Sequence, residues 1–404
     1  MKTRLTAALI SAALAAVAGP ASAEISGGVV KIGVLNDMSG LYSDITGPGS
    51  VVAAELAIED FRKQSKADFK IEIVSADHQH KPDLGSSIAR QWYDVDGVDV
   101  IVDVPTSSVG LAVNEIAREK KKAYLNSGSA TSDLTGKACA PTTIQWPYDT
   151  WMLSNGTGKA IVETGGDTWY FLTADYAFGH ALERDTSAVV EASGGKVLGN
   201  VRVPLNTQDF SSFLLQAQAS KAKIIGLANA GGDTINSIKQ AAEFGIVAGG
   251  QNLAGLLMFI TDVKALGLET AQGLIFTTGF YWDLNDGTRD FAKRFMEKGD
   301  GKAPTMVHAG VYSSLLHYFK AIEATGSDDG VTVIDKMKAT PTDDPVYGKG
   351  TIRADGRKIH PVYLVEVKSP AESKGEWDLL KVRTTIPAEQ AFRPMADGGC
   401  PLVN

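Results

Sequence analysis

The sequence predicts an α/β fold of two doubly wound lobes joined by a hinge that the chain crosses more than once. Three observations predict it. Val/Ile-rich runs alternate with stretches of helical spacing from Val29 onward, that rhythm restarts after Cys139, and 404 residues are more than one core usually supports.

Lys2 and Arg4, an apolar run over 5–18 and Ala21-Ser22-Ala23 before Glu24 read as a secretory signal peptide over 1–23, cleaved after Ala23. The formal net charge of -8 becomes more negative without that leader, which argues against nucleic acid or an anionic membrane as partner. Val29 to Leu35 reads as a strand, the polar loop 36–49 leads into a helix over 51–61, and 69–75 is an alternating strand. A helix follows over 84–93, then a buried strand over 98–104, a helix from Val109 and another strand at Ala123-Tyr124-Leu125. That order is a parallel sheet with helices on both faces. In the second half, helices are expected over 151–164, 181–192, 210–220 and 234–244, with strands over 168–172, 196–203, 222–228, 253–259 and 273–278. Helices over 288–297 and 311–325 need a sheet to cover and are expected back on the first unit. The division is 24–145 with 280–352 as lobe 1, and 146–279 with 353–404 as lobe 2.

Two strands end in hydroxyl-rich loops, Thr106-Ser107-Ser108 after the strand 98–104 and Ser127 to Thr131 after Leu125. Ligands of open α/β sheets bind at the carboxyl ends of strands, and hydroxyls with backbone N–H groups there suit an anion. The plainer reading is that these residues only cap helices. Aromatics gather at other strand ends: Tyr42, Tyr176, Phe178, Phe259 and Phe280-Tyr281-Trp282. No G-x-S-x-G, H-E-x-x-H or P-loop occurs, so neither catalysis nor a cofactor is expected. His78 and His80 read as part of a solvated turn rather than a metal site. Gly231-Gly232-Asp233-Thr234 lacks a full dinucleotide fingerprint and reads as a place of close backbone approach. Two cysteines in an exported chain, Cys139 and Cys400, are expected to pair.

The runs KIGVLNDMSGLYSDITGPG (31–49), PTSS (105–108), SGSATSDLT (127–135) and TADYAFG (173–179), spread over the chain, resemble the solute-binding proteins of branched-chain amino acid ABC importers. The resemblance implies a type I periplasmic binding fold with three crossovers, a monomer that closes on a solute without transforming it, and a membrane permease as partner. It implies that Thr106 or Ser107, with Ser129, Ala130 and Thr131, hold a carboxylate, and that Tyr176 or Phe178 with Asn229 or Ala230 supply the second lobe's contacts. One departure matters. Where amino-acid binders of this family place an acid for the ligand ammonium, this chain reads Ala254-Gly255-Leu256-Leu257-Met258-Phe259. An unpaired buried ammonium is expensive, so the expected ligand is a small organic carboxylate, an aromatic or phenylpropenoid acid, ahead of a branched-chain amino acid. Asp175 or Asp262 remain alternative partners for an ammonium. A ligand-sensing domain of the same fold, or an exported hydrolase using Ser107 or Ser129, are the competing readings.

Overall fold

The computed structural model describes residues 24–403, so the leader read over 1–23 lies outside the described residues. Five parallel strands form the first sheet: β1 (Val29–Asn36), β2 (Lys70–Asp77), β3 (Val100–Asp103), β4 (Ala123–Asn126) and β5 (Thr143–Gln145). Their order is β2-β1-β3-β4-β5. Helices α1 (Gly47–Gln64), α2 (Pro82–Asp94) and α3 (Ser107–Lys120) connect them. The second parallel sheet runs β7-β6-β8-β9, from β6 (Thr168–Ala174), β7 (Lys196–Val203), β8 (Ile224–Ala228) and β9 (Asn252–Gly255). Around it lie α4 (Thr150–Leu153), which passes through a π turn at Ser154–Gly158 into α5 (Lys159–Glu163), then α6 (Ala177–Ala192), α7 (Ser211–Ala219), α8 (Gly232–Glu243), α9 (Ile260–Leu266) and α10 (Leu268–Ala271).

The expected strand over 253–259 is shorter than its apolar run. Pairing stops at Gly255, and Leu256 to Phe259 are buried by packing alone, with Asp262 capping the start of α9. Full burial without pairing produces the same apolar pattern as a strand. Strand β10 (Ile275–Thr278) then leaves the parallel sheet to pair antiparallel with β14 (Val362–Val367), which pairs with β15 (Leu380–Ile386).

Helices α11 (Asp286–Lys298), α12 (Met306–Thr325) and α13 (Gly330–Ala339) return to the first sheet. Helix α12 is buried on nearly every face from Met306 to Phe319, as its all-round apolar sequence requires. Asp60 of α1 fixes α11 and α12, accepting from Arg294 Nη2 and Tyr312 Oη, both at 2.7 Å. A small antiparallel sheet, β11 (Thr342–Asp344), β12 (Gly348–Ile352) and β13 (Lys358–Ile359), adjoins β5 through a bridge between Gln145 and Arg357. The chain thus passes between the two bodies after β5, after β10 and again after β13.

The crossings are laced together by buried cations. Arg357, fully buried, donates Nη1 to Tyr148 O (2.8 Å) and Nη2 to Trp146 O (2.9 Å). Lys358 is equally buried, yet its Nζ has no hydrogen-bond partner and rests over the rings of Trp146 (5.4 Å) and Tyr347 (4.8 Å). Burial holds its ammonium down at about 8, from an ordinary 10.5. Between those values the unfolded chain binds more protons than the folded one, so stability rises with pH across that window. At neutral pH the buried charge costs about 3 kcal/mol. Lys358→Met is therefore expected to raise the urea midpoint at pH 7 and to flatten its rise between pH 8 and 10. A midpoint that falls at pH 7 would show that the two ring contacts outweigh the desolvation.

Candidate functional site

All the parallel strands of the first sheet point their carboxyl ends at one cleft, and those of the second sheet face them across it. From the first lobe come the loop after β1 with Tyr42, Ile45 and Thr46, Pro105 after β3, and Gly128 with Ala130 after β4. Tyr148 enters from the first crossing and Val307 from the start of α12. The second lobe contributes Tyr176 and Phe178 after β6, Ala230 after β8 and Leu257 after β9. The cavity they enclose is nearly filled, about 10 Å³, room for about one water molecule and far below an ordinary small-ligand site.

The lobes touch directly. Tyr42 Oη and Tyr176 Oη are hydrogen-bonded at 2.6 Å across the cleft, and burial pushes both phenols above their usual range. Gly231, at φ 58, lies so close that a Cβ would stand 2.8 Å from Leu41 O and 3.1 Å from the Tyr42 ring. The close approach read at 231–234 is a contact between lobes.

Of the residues singled out in the sequence, Tyr42, Ala130, Tyr176, Phe178 and Ala230 line the cavity. The hydroxyls have other partners. Ser129 Oγ donates to Val104 O (2.6 Å), Ser107 Oγ accepts from Thr131 N (3.2 Å), and Thr131 Oγ1 accepts from Asp133 N (3.3 Å). Thr106 Oγ1 sits 2.6 Å from His80 Nδ1, and Asn229 Oδ1 accepts from Thr234 Oγ1 (2.7 Å). Phe259 stands one layer back, edge-on to Tyr148 at 6.3 Å. The histidine turn is not a solvated loop. His78 is fully buried, held well down at about 4 mainly by desolvation, and His80 Nε2 lies 2.8 Å from Asp37 Oδ2 while its ring meets Tyr42 edge-on. The turn is polar in sequence because it supports the Tyr42 loop from behind. Among the described residues no group of three His, Cys, Asp or Glu is placed to hold a metal.

Thr46, Tyr148, Leu257 and Val307 also line the cavity, and no strand-end pattern in the sequence marks them. Tyr148 and Val307 arrive on a crossing segment and on a helix from a distant part of the sequence. Leu257 was noted only as a missing acid.

Among the described residues no carboxylate lines the cavity. Asp262 accepts from Phe259 N (2.9 Å) to cap its own helix, and burial pushes it up to about 7. Asp175 is exposed beside His180 at 2.9 Å. Asp233 accepts from Asn206 N (3.0 Å), while its Oδ1 is buried without a partner, and burial pushes the group up to about 6. Helices α3, α6 and α8 all begin at the cleft, and none of the three has a side-chain cap. Their unsatisfied N–H groups and positive dipole ends make that region favourable to an anion.

Two parallel α/β lobes that meet over a cavity, with several crossings behind it, define a two-lobed solute-binding protein. The chain belongs to the periplasmic binding protein family, whose profile matches residues 29–376. It is similar to a periplasmic binding protein from Burkholderia mallei, with 51% identity over 94% of this chain and 100% of that one, and a TM-score of 0.91. A branched chain amino acid ABC transporter periplasmic ligand-binding protein from Burkholderia xenovorans LB400 shares 42% identity over 92% and 99% of the two chains, with a TM-score of 0.82. Among curated proteins, Leu/Ile/Val-binding protein homolog 6 of Brucella melitensis is 25% identical over 84% of this chain and 87% of its own.

Proposed function

We propose that the protein captures a small organic carboxylate without an α-ammonium, an aromatic acid above all, and delivers it to an ABC importer in the periplasm. The observation that carries this reading is the cavity wall: aromatic and aliphatic side chains, uncapped helix starts and no acid. The carboxylate would be held by backbone N–H groups of the loops after β3 and β4, with Thr106 beside them. The ring would lie among Phe178, Leu257 and Val307. Such a ligand needs more room than the closed cavity offers, so it enters between lobes held farther apart and displaces the Tyr42–Tyr176 bond. Closure on it is a population shift, because the ligand meets both lobes only when they approach.

Solute-binding proteins of this fold have been solved with benzoate and with 4-hydroxybenzoate, at 19% and 23% identity, which makes those acids natural probes. The second reading, a branched-chain amino acid, is favoured by the description of the 42% identical relative and by Asp233, whose free Oδ1 could meet an ammonium. A thermal-shift comparison of benzoate, 4-hydroxybenzoate, L-leucine and L-valine on the mature protein separates them. Ligand at a hundred times its Kd adds about 2.7 kcal/mol to stability. The aromatic acids are expected to raise the melting temperature and the amino acids to leave it unchanged. Stabilisation by leucine or valine alone, lost in Asp233→Asn, would overturn the organic-acid reading.

A further inference from the structure

Strand β3 ends in a strained dipeptide. Asp103 has φ 77 and Val104 φ 59, a left-handed pair of which one member is β-branched. Each such residue costs about 1–3 kcal/mol and persists only where its surroundings dictate it. Here they do. Val104 N donates to Leu35 O (3.0 Å), while Asp103 O accepts from Ser127 N (3.3 Å) and Gly128 N (3.1 Å). The Asp103 carboxyl accepts through Oδ2 from Asn36 Nδ2 (2.7 Å) and from Ser50 Oγ. Asn36 in turn accepts through Oδ1 from Asp37 N (2.7 Å), Thr46 Oγ1 (2.6 Å) and Gly47 N (3.2 Å). The three loops by which the first lobe lines the cavity are therefore joined at one residue.

The other oxygen of Asp103 is the unusual feature. Oδ1 is fully buried without a hydrogen-bond partner and faces Gly128, where a Cβ would stand 2.6 Å away. Gly128 itself lines the cavity. The groups facing the carboxyl are Asn36 from β1, Ser50 from α1, Tyr124 from β4 and Tyr148 from the crossing, and among the described residues no Lys, Arg or His offsets its charge. An ionised carboxylate in that position is uncompensated and stands behind the loops proposed to hold an anion. Like charges in a dry site repel strongly.

We propose that Asp103 is a positioning residue that ties the three lobe-1 loops together and must be protonated for the cleft to hold a carboxylate, so that capture of the ligand is coupled to uptake of a proton. The inference rests on the carboxylate reading above. Burial pushes this carboxyl up to about 7, which places its proton in the range where the coupling is measurable. Asparagine is the neutral counterpart of the protonated acid and keeps an acceptor for Asn36 and Ser50.

The test pairs calorimetry with infrared spectroscopy on the mature protein, using benzoate, 4-hydroxybenzoate and L-leucine as probes. For whichever probe binds, the wild-type Kd is expected to rise about tenfold between pH 6 and 8, with proton uptake at pH 7.5 read from buffers of different ionisation enthalpy. In Asp103→Asn the affinity, whatever its value at pH 6, is expected to stay flat to pH 8, with no proton taken up. A wild-type Kd that is itself flat, or an Asp103→Asn curve parallel to the wild type, would overturn the proposal. If only leucine binds, the organic-acid reading fails, but the proton count on leucine's carboxylate still decides this one. The infrared arm needs no ligand. At pH 6 the wild type should show, beyond the bands of Asp233 and Asp262, a carbonyl stretch of a buried protonated carboxyl that is lost above pH 8 and is missing from Asp103→Asn, and a difference spectrum without that band would sink the assignment.

Discussion

Gly231→Val is expected to weaken capture at least tenfold. The new side chain would need to occupy the space of Leu41 O and the Tyr42 ring, and no rotamer of valine avoids its own Cβ, 2.8 Å from that oxygen. The contact exists only when the lobes meet, so the penalty falls on the closed form alone. The backbone at Gly231, φ 58 and ψ -132, adds a further cost of about 1–3 kcal/mol for valine within the second lobe, so the folded state of the variant is checked by its circular dichroism. Affinity for a ligand held by both lobes should fall at least tenfold, because the loaded form must still bring Gly231 toward the Leu41–Tyr42 loop even with the phenol bond broken, and each 1.4 kcal/mol is a factor of ten. Small-angle scattering checks the cause without a ligand: the variant's radius of gyration should exceed that of the wild type. Equal radii with normal binding would mean that the closed arrangement is not the one that retains the solute.

Reduction of Cys139–Cys400 has the largest expected effect on stability. The bridge joins residues 261 apart, with Cα atoms at 5.6 Å, and the ring it closes contains the whole second lobe together with α11 to α13. Loop-closure entropy for a ring of that size gives about 6 kcal/mol as an upper figure. The double variant Cys139→Ser with Cys400→Ser should lower the urea midpoint strongly and raise the slope of the transition, because its unfolded chain is more expanded. An unchanged midpoint would show that the tail is held by its other contacts, among them Arg393 Nη2 donating to Ser132 O at 2.9 Å.

Much of the scaffold is legible from periodicity. Strands β1, β3, β4 and β8 are short, mostly Val/Ile/Leu runs closed by Pro or Asn, and a parallel sheet buried on both faces leaves that mark. Because the cleft lies at strand ends, Tyr42, Tyr176 and Phe178 could be placed near it from sequence order alone. The hydroxyls show where that reasoning stops. A sequence says that Ser129 is in the loop, but not that the left-handed turn at Val104 leaves a carbonyl 2.6 Å from its Oγ. Nor could Tyr148 or Val307 be found, because crossing segments bring them to the cavity by long-range closure rather than by any local pattern. Helix α13 was missed for a local reason. Its cap, Asp329 accepting from Thr332 N (2.9 Å), lies within a polar stretch that reads as loop.

The phenol pair across the cleft has a kinetic corollary. The ligand proposed above breaks the Tyr42–Tyr176 bond, so the form that keeps this bond is one that excludes the solute. Every molecule so shut is removed from the pool that can receive a solute, and the apparent dissociation constant rises by the inverse of the open fraction. Tyr176→Phe should thus speed association, visible in stopped-flow fluorescence as a higher bimolecular rate, and a slower rate would refute the idea. The same self-closure would let an importer distinguish a loaded protein from an empty one only by the fit of the closed form, not by closure itself.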